Sequence, residues 1–448
     1  MAFHYAITKK FGPQPILMKR AYTTIVLPAF TFGCHVFGDK CQQETIKKSL
    51  NRLNRLASLL IASVAPSTPT KGMEVIYNLM PLDILVEKRA TEIMARIDDQ
   101  IHSTWDGLGS GNKKGLVKKW KSAAADITNN IIKTDKILTK LTKERNFKVH
   151  SPDDGRIKQK EATGIISYTD GSVLDNKTGC GVHTIMGKRV IYNGNFNLSN
   201  NATVFQAEVF AIRKSAQMLI DKGWKNQTIT FYSDSQAALA SLKKLTIKSE
   251  TVYNCLSALN VLGRENRVHL RWVKAHVGIQ GNEVADFLAK KGTSLADGLV
   301  NELLTPQVKQ KKEINNYYFK KWCHSWKSYG QARQTKIWFP TPDPKKSAEL
   351  LKQKRSDLSI LVQFLTGHNR LKRHKNIQNG IEDPYSCRLC QEDEESSFHV
   401  IAECPAMHSY RAGIFSTMTI LPNPPDWSVN QVIKFIKESP VGNMLNQD

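Results

Sequence analysis

Negative charge is scarce in this sequence of 448 residues, and long apolar runs are absent. Lys and Arg number 64 against 40 Asp and Glu, which gives a formal net charge of +24 and a pI near 9.6. No apolar run reaches the roughly 18 residues that a membrane-spanning helix needs. We therefore expect no membrane segment. A positive field of this size favours polyanionic partners, above all nucleic acid.

A cleavable secretion signal is also lacking. A signal peptide needs an unbroken apolar centre, whereas basic residues interrupt the N-terminal region at Lys9, Lys10, Lys19 and Arg20. We expect an intracellular protein of the nucleus or cytoplasm. Its eight cysteines should then be reduced thiols or metal ligands rather than disulfides.

Four acidic residues between Gly164 and Gly292 lie at the ends or on the flanks of predicted strands and helices. In chain order they are Asp170, Glu208, Asp234 and Asp286. Carboxylates that meet in one site raise one another's pKa unless a cation lies between them. Ligation by oxygen alone favours Mg²⁺ or Mn²⁺ over zinc, and two such ions would activate a water and stabilise the leaving oxygen of a phosphodiester. The alternative is four unrelated acids that end separate elements.

The motifs around these acids resemble a type 1 ribonuclease H domain over about a third of the chain. In order they are Thr-Asp170-Gly-Ser, Ala-Glu208, Ser-Asp234-Ser and Trp-Val-x-x-His276 followed by Gly-Asn-Glu-x-Ala-Asp286. The resemblance implies an α/β fold with a five-stranded mixed sheet flanked by helices. It also implies an endonuclease that uses two Mg²⁺ or Mn²⁺ ions to cut the RNA strand of RNA–DNA hybrids.

The resemblance also implies roles for single residues. The catalytic metal ligands would be Asp170, Glu208, Asp234 and Asp286. His276 would lie on a mobile loop and help to shuttle protons or release product. Contacts to the nucleic acid would come from Ser172, Gln236 and Asn282. The cellular enzymes carry asparagines that grip the hybrid just before the helix-borne Glu, whereas this chain has Val204 and Phe205 there.

We divide the chain into six regions. They are a helical region (1–110), a basic linker with helices (111–160), the RNase H-like domain (161–296), a basic helical region (297–380), a Cys/His segment (381–410) and a C-terminal tail (411–448). The helical pattern in the linker runs through Ile127, Ile131, Ile132, Ile137 and Leu138.

The N-terminal region is similar to the thumb end of non-LTR retrotransposon reverse transcriptases. An apolar segment with Pro28 and Gly33 precedes a basic helix, a Thr-Pro turn at Thr68 and a Pro-Leu pair of helices at Pro81. The polymerase motif, an aromatic residue followed by x-Asp-Asp, is missing from the sequence. We therefore expect no polymerase activity, and the chain resembles the C-terminal part of an element-derived reading frame.

The Cys/His segment carries a second constellation, Cys387-x-x-Cys390, His399 and Cys404. Two thiolates at this spacing form a tight knuckle, and a His with a third Cys completes a tetrahedral set typical of structural zinc. The segment is similar to the Cys-Cys-His-Cys stretch that often follows RNase H in non-LTR elements. The alternative is unpaired thiols beside a surface histidine.

Two rival functions remain open. A nucleic-acid-binding relic of a reverse transcriptase would keep the charge and the Cys/His segment after its turnover had decayed. An integrase-like or Holliday-junction nuclease shares the fold but would not carry Gly-Asn-Glu-x-Ala-Asp286. The four acids favour an RNA–DNA hybrid endonuclease.

Overall fold

The computed structural model describes residues 12–37, 40–41, 43–104, 134–151, 164–198, 200–295, 300–301, 303–380, 386–415 and 428–446. The chain forms two compact units, one of Met94–Ile314 and one that joins Met1–Ile93 to Asn315–Asp448. The sequence predicted separate N-terminal and C-terminal regions, so their union in one unit differs from that expectation. Among the described residues no helix combines the length and apolar character that crossing a membrane requires.

Six helices and a π-helical turn form the N-terminal part of the chain. They are α1 (Pro15–Ala21), the π turn (Tyr22–Val26), α2 (Leu27–Thr31), α3 (Cys34–Phe37), α4 (Glu44–Ala62), α5 (Thr70–Ile76) and α6 (Leu82–Thr104). Cys34 and Cys41 pack with Leu82, Val86 and Ala90 in one buried cluster. These thiols are therefore core residues, as is common for free cysteine.

The described residues of Met94–Ile314 include nine strands and four complete helices. The strands are β1 (Lys136–Leu141), β2 (Phe147–Val149), β3 (Ile165–Leu174), β4 (Lys177–Met186), β5 (Arg189–Leu198), β6 (Thr228–Ser233), β7 (Thr246–Ser249), β8 (Arg267–Trp272) and β9 (Val300–Asn301). The helices are α7 (Val204–Asp221), α8 (Gln236–Lys243), α9 (Glu250–Glu265) and α10 (Gln280–Thr293).

Seven of these strands form one mixed sheet in the order β2-β8-β6-β3-β4-β5-β9. Strands β2, β8, β6 and β3 run parallel, whereas β4 is antiparallel to both β3 and β5. The expected five-stranded sheet is thus corrected to seven strands. β2 extends one edge beside β8, and β9 extends the other beside β5.

The remaining strands, β1 and β7, form a separate antiparallel ribbon. Ile137 and Leu138, which the sequence placed in a linker helix, lie in β1 of this ribbon. The local sequence pattern did not predict this strand, because the main-chain hydrogen bonds of β1 are made with β7, which lies far along the sequence. The other predicted linker positions, Ile127, Ile131 and Ile132, lie outside the described residues.

Helix α7 supplies the core between the sheet and α9. The helical spacing of Phe205, Val209, Ile212, Ala216 and Leu219 predicts an apolar stripe on this helix. The stripe is confirmed, since the last four of these side chains are fully buried and Phe205 is partly buried. Thr203 caps the helix in a capping box with Gln206, which satisfies free amides of the first turn. The capping box therefore fixes the direction of the helix close to Glu208.

The C-terminal part of the chain is helical. Its elements are α11 (Gln307–Ser328), α12 (Arg333–Trp338), α13 (Pro344–Leu351), α14 (Arg355–Thr366), α15 (Lys372–Asn379), a π turn (His399–Glu403), a 3₁₀ turn (Pro405–Met407), α16 (His408–Phe415), α17 (Val429–Glu438) and α18 (Pro440–Asn446). The predicted tail thus contains α17 and α18, and Phe435 is buried. Arg355 donates to the main-chain oxygens of Leu60 and Pro13, which joins this part to the N-terminal helices.

Candidate active site

Asp170 lies in the middle of β3 with 6% of its surface exposed. Its cross-strand partner on β4 is Gly181. A Cβ on Gly181 would overlap the carbonyl oxygen of Ala285, so only glycine lets α10 pack this closely on the sheet. That close packing brings Asp286, one residue after Ala285, next to Asp170.

A second glycine brings α7 against β3. A Cβ on Gly171 would lie 2.8 Å from the Cγ of Glu208 and 2.9 Å from the Cβ of Ala207. The absence of a side chain at Gly171 therefore lets Glu208 reach the neighbourhood of Asp170. The Asp-Gly and Ala-Glu motifs fit each other for this steric reason.

Three of the four predicted acids meet in one cluster. Carboxylate oxygens of Asp170, Glu208 and Asp234 lie within 4.8 Å of one another. Glu208 is 8% exposed and Asp234 is half-buried. Asp234 follows directly after β6, and Ser235 caps α8 by accepting from the amide of Ala238, as the sequence predicted.

Crowding changes the proton affinity of this cluster. Burial, and then the negative charges of Asp234 and Asp286, raise the pKa of Asp170 to about 7. Burial, and then the charges of Asp170 and Asp234, raise the pKa of Glu208 to about 8. The acids therefore hold protons near neutral pH unless a cation compensates their charge.

Asp286 completes the site from α10 but lies outside the cluster of three. It shares a hydrogen bond with the side chain of Asp170. Its Oδ2 also accepts from the Nζ of Lys290 at 2.7 Å, one helical turn further along. Asp286 is thus held between a carboxyl group and an ammonium group.

Three residues whose roles sequence reasoning missed help to hold the carboxylates in place. Ser233 donates its hydroxyl to the Oε2 of Glu208 at 3.4 Å. The indole nitrogen of Trp272 donates to the main-chain oxygen of Asp234 at 3.0 Å. Gly171 provides the space described above. Trp272 and Gly171 stood inside the quoted motifs, but their contacts depend on pairing between strands that no local pattern reveals.

The predicted nucleic-acid contacts fall in different surroundings. Gln236 is exposed at the first residue of α8, and Ser172 is half-buried on β3. Asn282 is only 4% exposed, and its Nδ2 donates to Oδ2 of Asp234 at 3.4 Å. The structure thus places Asn282 behind a carboxylate, where it holds Asp234 in position.

His276 lies on the exposed turn between β8 and α10. Its φ is +53°, and Gly278 two residues later has a φ of +79°. A positive φ is uncommon for residues other than glycine, although His adopts it more often than most. Residues 273–279 are thus a loop, as the sequence predicted.

The carboxylate cluster fits a hard divalent cation. Its donors are all oxygens that converge within 4.8 Å, and the pKa values of two of the acids, Asp170 and Glu208, are raised to about 7 and 8. Mg²⁺ and Mn²⁺ prefer such donors, whereas zinc sites are usually built from nitrogen and sulfur.

The Cys/His segment forms a second donor cluster. One ligand atom from each of Cys387, Cys390, His399 and Cys404 lies within 4.8 Å of the others. The sulfur atoms of Cys387 and Cys404 are 3.9 Å apart, and that of Cys390 is 3.3 Å from the Nε2 of His399. Thiolates about 2.3 Å from a central zinc would be about 3.8 Å apart, whereas a disulfide needs about 2.05 Å. The cluster is therefore compatible with zinc.

An ion pair between exposed Arg388 and buried Glu395 frames this cluster. Glu395 has no exposed side-chain surface, and it accepts from the guanidinium of Arg388, from the Arg388 amide and from the amide of Lys372. Burial acts to raise the pKa of Glu395, but the hydrogen bonds from Arg388 outweigh it and lower the pKa. Arg388 lies between Cys387 and Cys390, so Glu395 ties the knuckle to the start of α15.

The part of the chain that carries the four acids is similar to known proteins. Residues 162–294 match the RNase H family profile. The chain is 26% identical over 144 residues to ribonuclease H of Haemophilus influenzae, covering 28% of this chain and 86% of the relative. It is 29% identical over 147 residues to ribonuclease H of a Polaromonas species, covering 30% and 92%. The solved RNase H1 of Halobacterium salinarum covers 29% of this chain and 96% of its own, with 21% identity and a TM-score of 0.24.

Proposed function

We propose that the RNase H domain formed by residues 162–294 hydrolyses the RNA strand of RNA–DNA hybrids with the help of two divalent cations. The observation that carries this proposal is the convergence of Asp170, Glu208 and Asp234 within 4.8 Å. Three buried or half-buried carboxylates, two of them with pKa values raised to about 7 and 8, form a site made for positive charge.

Each acid has its own part in holding the cations. Asp170 and Glu208 are the most buried of the four and would hold the cations together with half-buried Asp234 and Asp286. Two bound ions would lower the pKa of an attacking water and stabilise the leaving 3′ oxygen. Lys290 would release Asp286 when a cation takes its place, since its ammonium group is half exposed and can turn to solvent.

Other residues would act on the substrate. His276 stands on an exposed loop, and an imidazole is the side chain that most often transfers protons in general acid–base catalysis. We expect His276→Ala to lower turnover by roughly ten- to a thousandfold, on the scale of acid–base catalysis, with binding little changed. Val277→Ala, the exposed neighbour in the same loop, is the matched control.

Ser172 and Gln236 would contact the nucleic acid directly, because Ser172 is only half-buried on β3 and Gln236 is exposed at the first residue of α8. The 2′-hydroxyl next to the cut phosphate distinguishes RNA from DNA for a protein. Asn282 would act through Asp234, which it contacts, rather than through the substrate.

We also propose that Cys387, Cys390, His399 and Cys404 bind one structural zinc ion. The 3.9 Å sulfur–sulfur distance supports this, as does the convergence of one ligand atom from each of the four residues within 4.8 Å. With this segment behind an RNase H domain, and with the helical pattern at the N-terminus, we propose an origin in a non-LTR retrotransposon reverse transcriptase. The four retained acids favour an active enzyme over a decayed relic.

The test is a cleavage assay on end-labelled RNA–DNA hybrid, double-stranded RNA and duplex DNA of one sequence. We expect cleavage of the RNA strand of the hybrid alone, in Mg²⁺ or Mn²⁺, and none after Asp234→Asn. Asp221→Asn, an exposed acid at the end of α7, is the matched control and should cut normally. A wild-type chain that binds hybrid but never cuts it, with either ion, would establish the relic instead.

A further inference from the structure

A groove of about 480 Å³ lies beside the β1–β7 ribbon. Its floor is apolar and includes Phe205, Ile247 and Val252. Three lysines line it as well, Lys136 from β1, Lys244 after α8 and Lys248 from β7. Lys244 and Lys248 are exposed, and Lys136 is half-buried. The groove thus combines an apolar floor with a positively charged rim.

The groove is held by a buried clamp. Asp135, 8% exposed, accepts at Oδ2 from the hydroxyl of Ser249 at 2.7 Å. Its Oδ1 accepts from both the amide and the hydroxyl of Thr251 at 2.8 Å. Both carboxylate oxygens are thereby occupied at the start of α9. The clamp fixes β1, and with it Lys136, to the domain.

Among the described residues, no ion pair joins a carboxylate to the ammonium group of Lys136, Lys244 or Lys248. Arg145 adds a further positive charge nearby, because its guanidinium donates to the main-chain oxygens of Leu242 and Lys244 at the end of α8. Cations gathered on one rim repel one another, and an anion that lies between them removes the repulsion. The rim therefore suits a polyanion.

Helix α8 connects the groove to the carboxylates. It begins at Gln236, two residues after Asp234, and ends at Lys243, just before Lys244. Eight residues at 1.5 Å each span about 12 Å, which corresponds to roughly three or four nucleotides along a duplex axis. Ala237 and Ala240 are exposed on this helix, and their small side chains leave space for a ligand between the two sites.

We propose that this groove holds the sugar-phosphate backbone of the nucleic acid bound at the carboxylates, with Lys136, Lys244 and Lys248 against its phosphates. The proposal rests on the proposed function, whose substrate it positions. The groove uses β1, which precedes the residues that match the RNase H profile. Substrate grip in this chain therefore includes a segment outside the matched domain.

The test compares hybrid binding by the full chain and by the triple variant Lys136→Gln, Lys244→Gln, Lys248→Gln, as fluorescence anisotropy over a series of salt concentrations. Both carry Asp234→Asn so that nothing is cut. Each lost phosphate contact lowers the slope of log K against log salt by roughly 0.9. We expect a slope lower by about 2 to 3, equivalent to a roughly forty-fold smaller loss of affinity between 50 and 200 mM salt. Single-stranded RNA and DNA as further ligands show which strand supplies the phosphates.

The matched control replaces Lys188, Lys222 and Lys225 by Gln, which removes the same charge from exposed positions at the opposite end of the sheet. Equal slopes for the two triple variants would overturn the proposal. A second result would also overturn it: poly-glutamate binds the wild type but not the groove variant, while both proteins bind the hybrid equally. The groove would then bind acidic protein. Binding does not require turnover. A wild type that never cuts therefore refutes the proposed function alone, and unchanged binding refutes the groove alone.

Discussion

Asn282 donates its side-chain amide to the Oδ2 of Asp234 at 3.4 Å, while its own Oδ1 is buried without a hydrogen-bond partner in the described part of the chain. The bond joins α10 to the end of β6. It holds one oxygen of Asp234 and leaves the other oxygen for the cluster with Asp170 and Glu208. Asn282 is therefore a positioning residue.

The first prediction concerns this contact. Asn282→Ala should lower the affinity for Mg²⁺ or the turnover by roughly 10- to 100-fold, because residues that orient metal ligands contribute on this scale. Titration of cleavage rate against Mg²⁺ concentration measures the effect. Gln280→Ala, an exposed position on the same helix, should change neither quantity. A shift equal in both variants would assign the effect to α10 as a whole.

The second prediction concerns pH in protein freed of divalent ions. Folding raises the pKa of Asp170 from 3.8 to about 7 and that of Glu208 from 4.5 to about 8, with burial the largest cause in both. Between pH 4 and pH 8 the folded state thus binds more protons than the unfolded state. Its free energy of unfolding must fall as pH rises through this window. Thermal melts at pH 5 and pH 8 measure the difference.

The control is the double variant Asp170→Asn, Glu208→Gln, which has no proton to lose at these positions. Its melting temperature should depend less on pH and should exceed that of the wild type at pH 8. Added Mg²⁺ should raise the wild-type melting temperature at pH 8 more than at pH 5, because it binds the ionised acids. Equal stability of the wild type and the double variant at pH 8, measured without any cation, would show that the carboxylates do not repel one another in the folded protein.

The third prediction concerns the Cys/His cluster. Native mass spectrometry of zinc-replete protein should show one bound zinc, and Cys390→Ser should lose it. Because metal binding is coupled to folding, a chelator should destabilise the segment around the knuckle and expose it to protease. Cys323→Ser, a half-buried thiol outside the cluster, is the matched control. Wild-type protein that carries no zinc after zinc-replete purification would refute the site.

The sequence predicted the acids and the α7 stripe because short motifs and a helical period carry them. It could not predict β2, since three residues, Phe147–Val149, are too few to show a period. The ribbon of β1 and β7 was missed for another reason, because Lys136 pairs with Ser249 from a distant part of the chain. Close packing at Gly171 and Gly181 likewise becomes visible only when helix and sheet meet.

The last prediction follows from β2. Phe147 is 8% exposed and belongs to the core of the sheet, where β2 pairs with β8 at Val268. The preceding Asn146 hydrogen-bonds to Asn260 on α9 through its amide and its side chain. Asn146 and Phe147 lie before the start of the matched RNase H region at residue 162, whereas their partners Asn260 and Val268 lie inside it. A fragment limited to Gly164–Ser294 therefore opens the core along one edge.

We expect this fragment to be less stable than a fragment of residues 134–306 by at least about 3 kcal/mol, because removing a buried phenylalanine alone costs about 3 to 5 kcal/mol. Urea denaturation of both fragments measures the difference. Phe147→Ala in the longer fragment should reproduce much of the loss, whereas Lys148→Ala, the exposed neighbour on β2, should not. Both fragments keep the four acids, so the shorter one should still cut hybrid below its melting temperature. Equal urea midpoints would show that β2 rests on the domain without stabilising it.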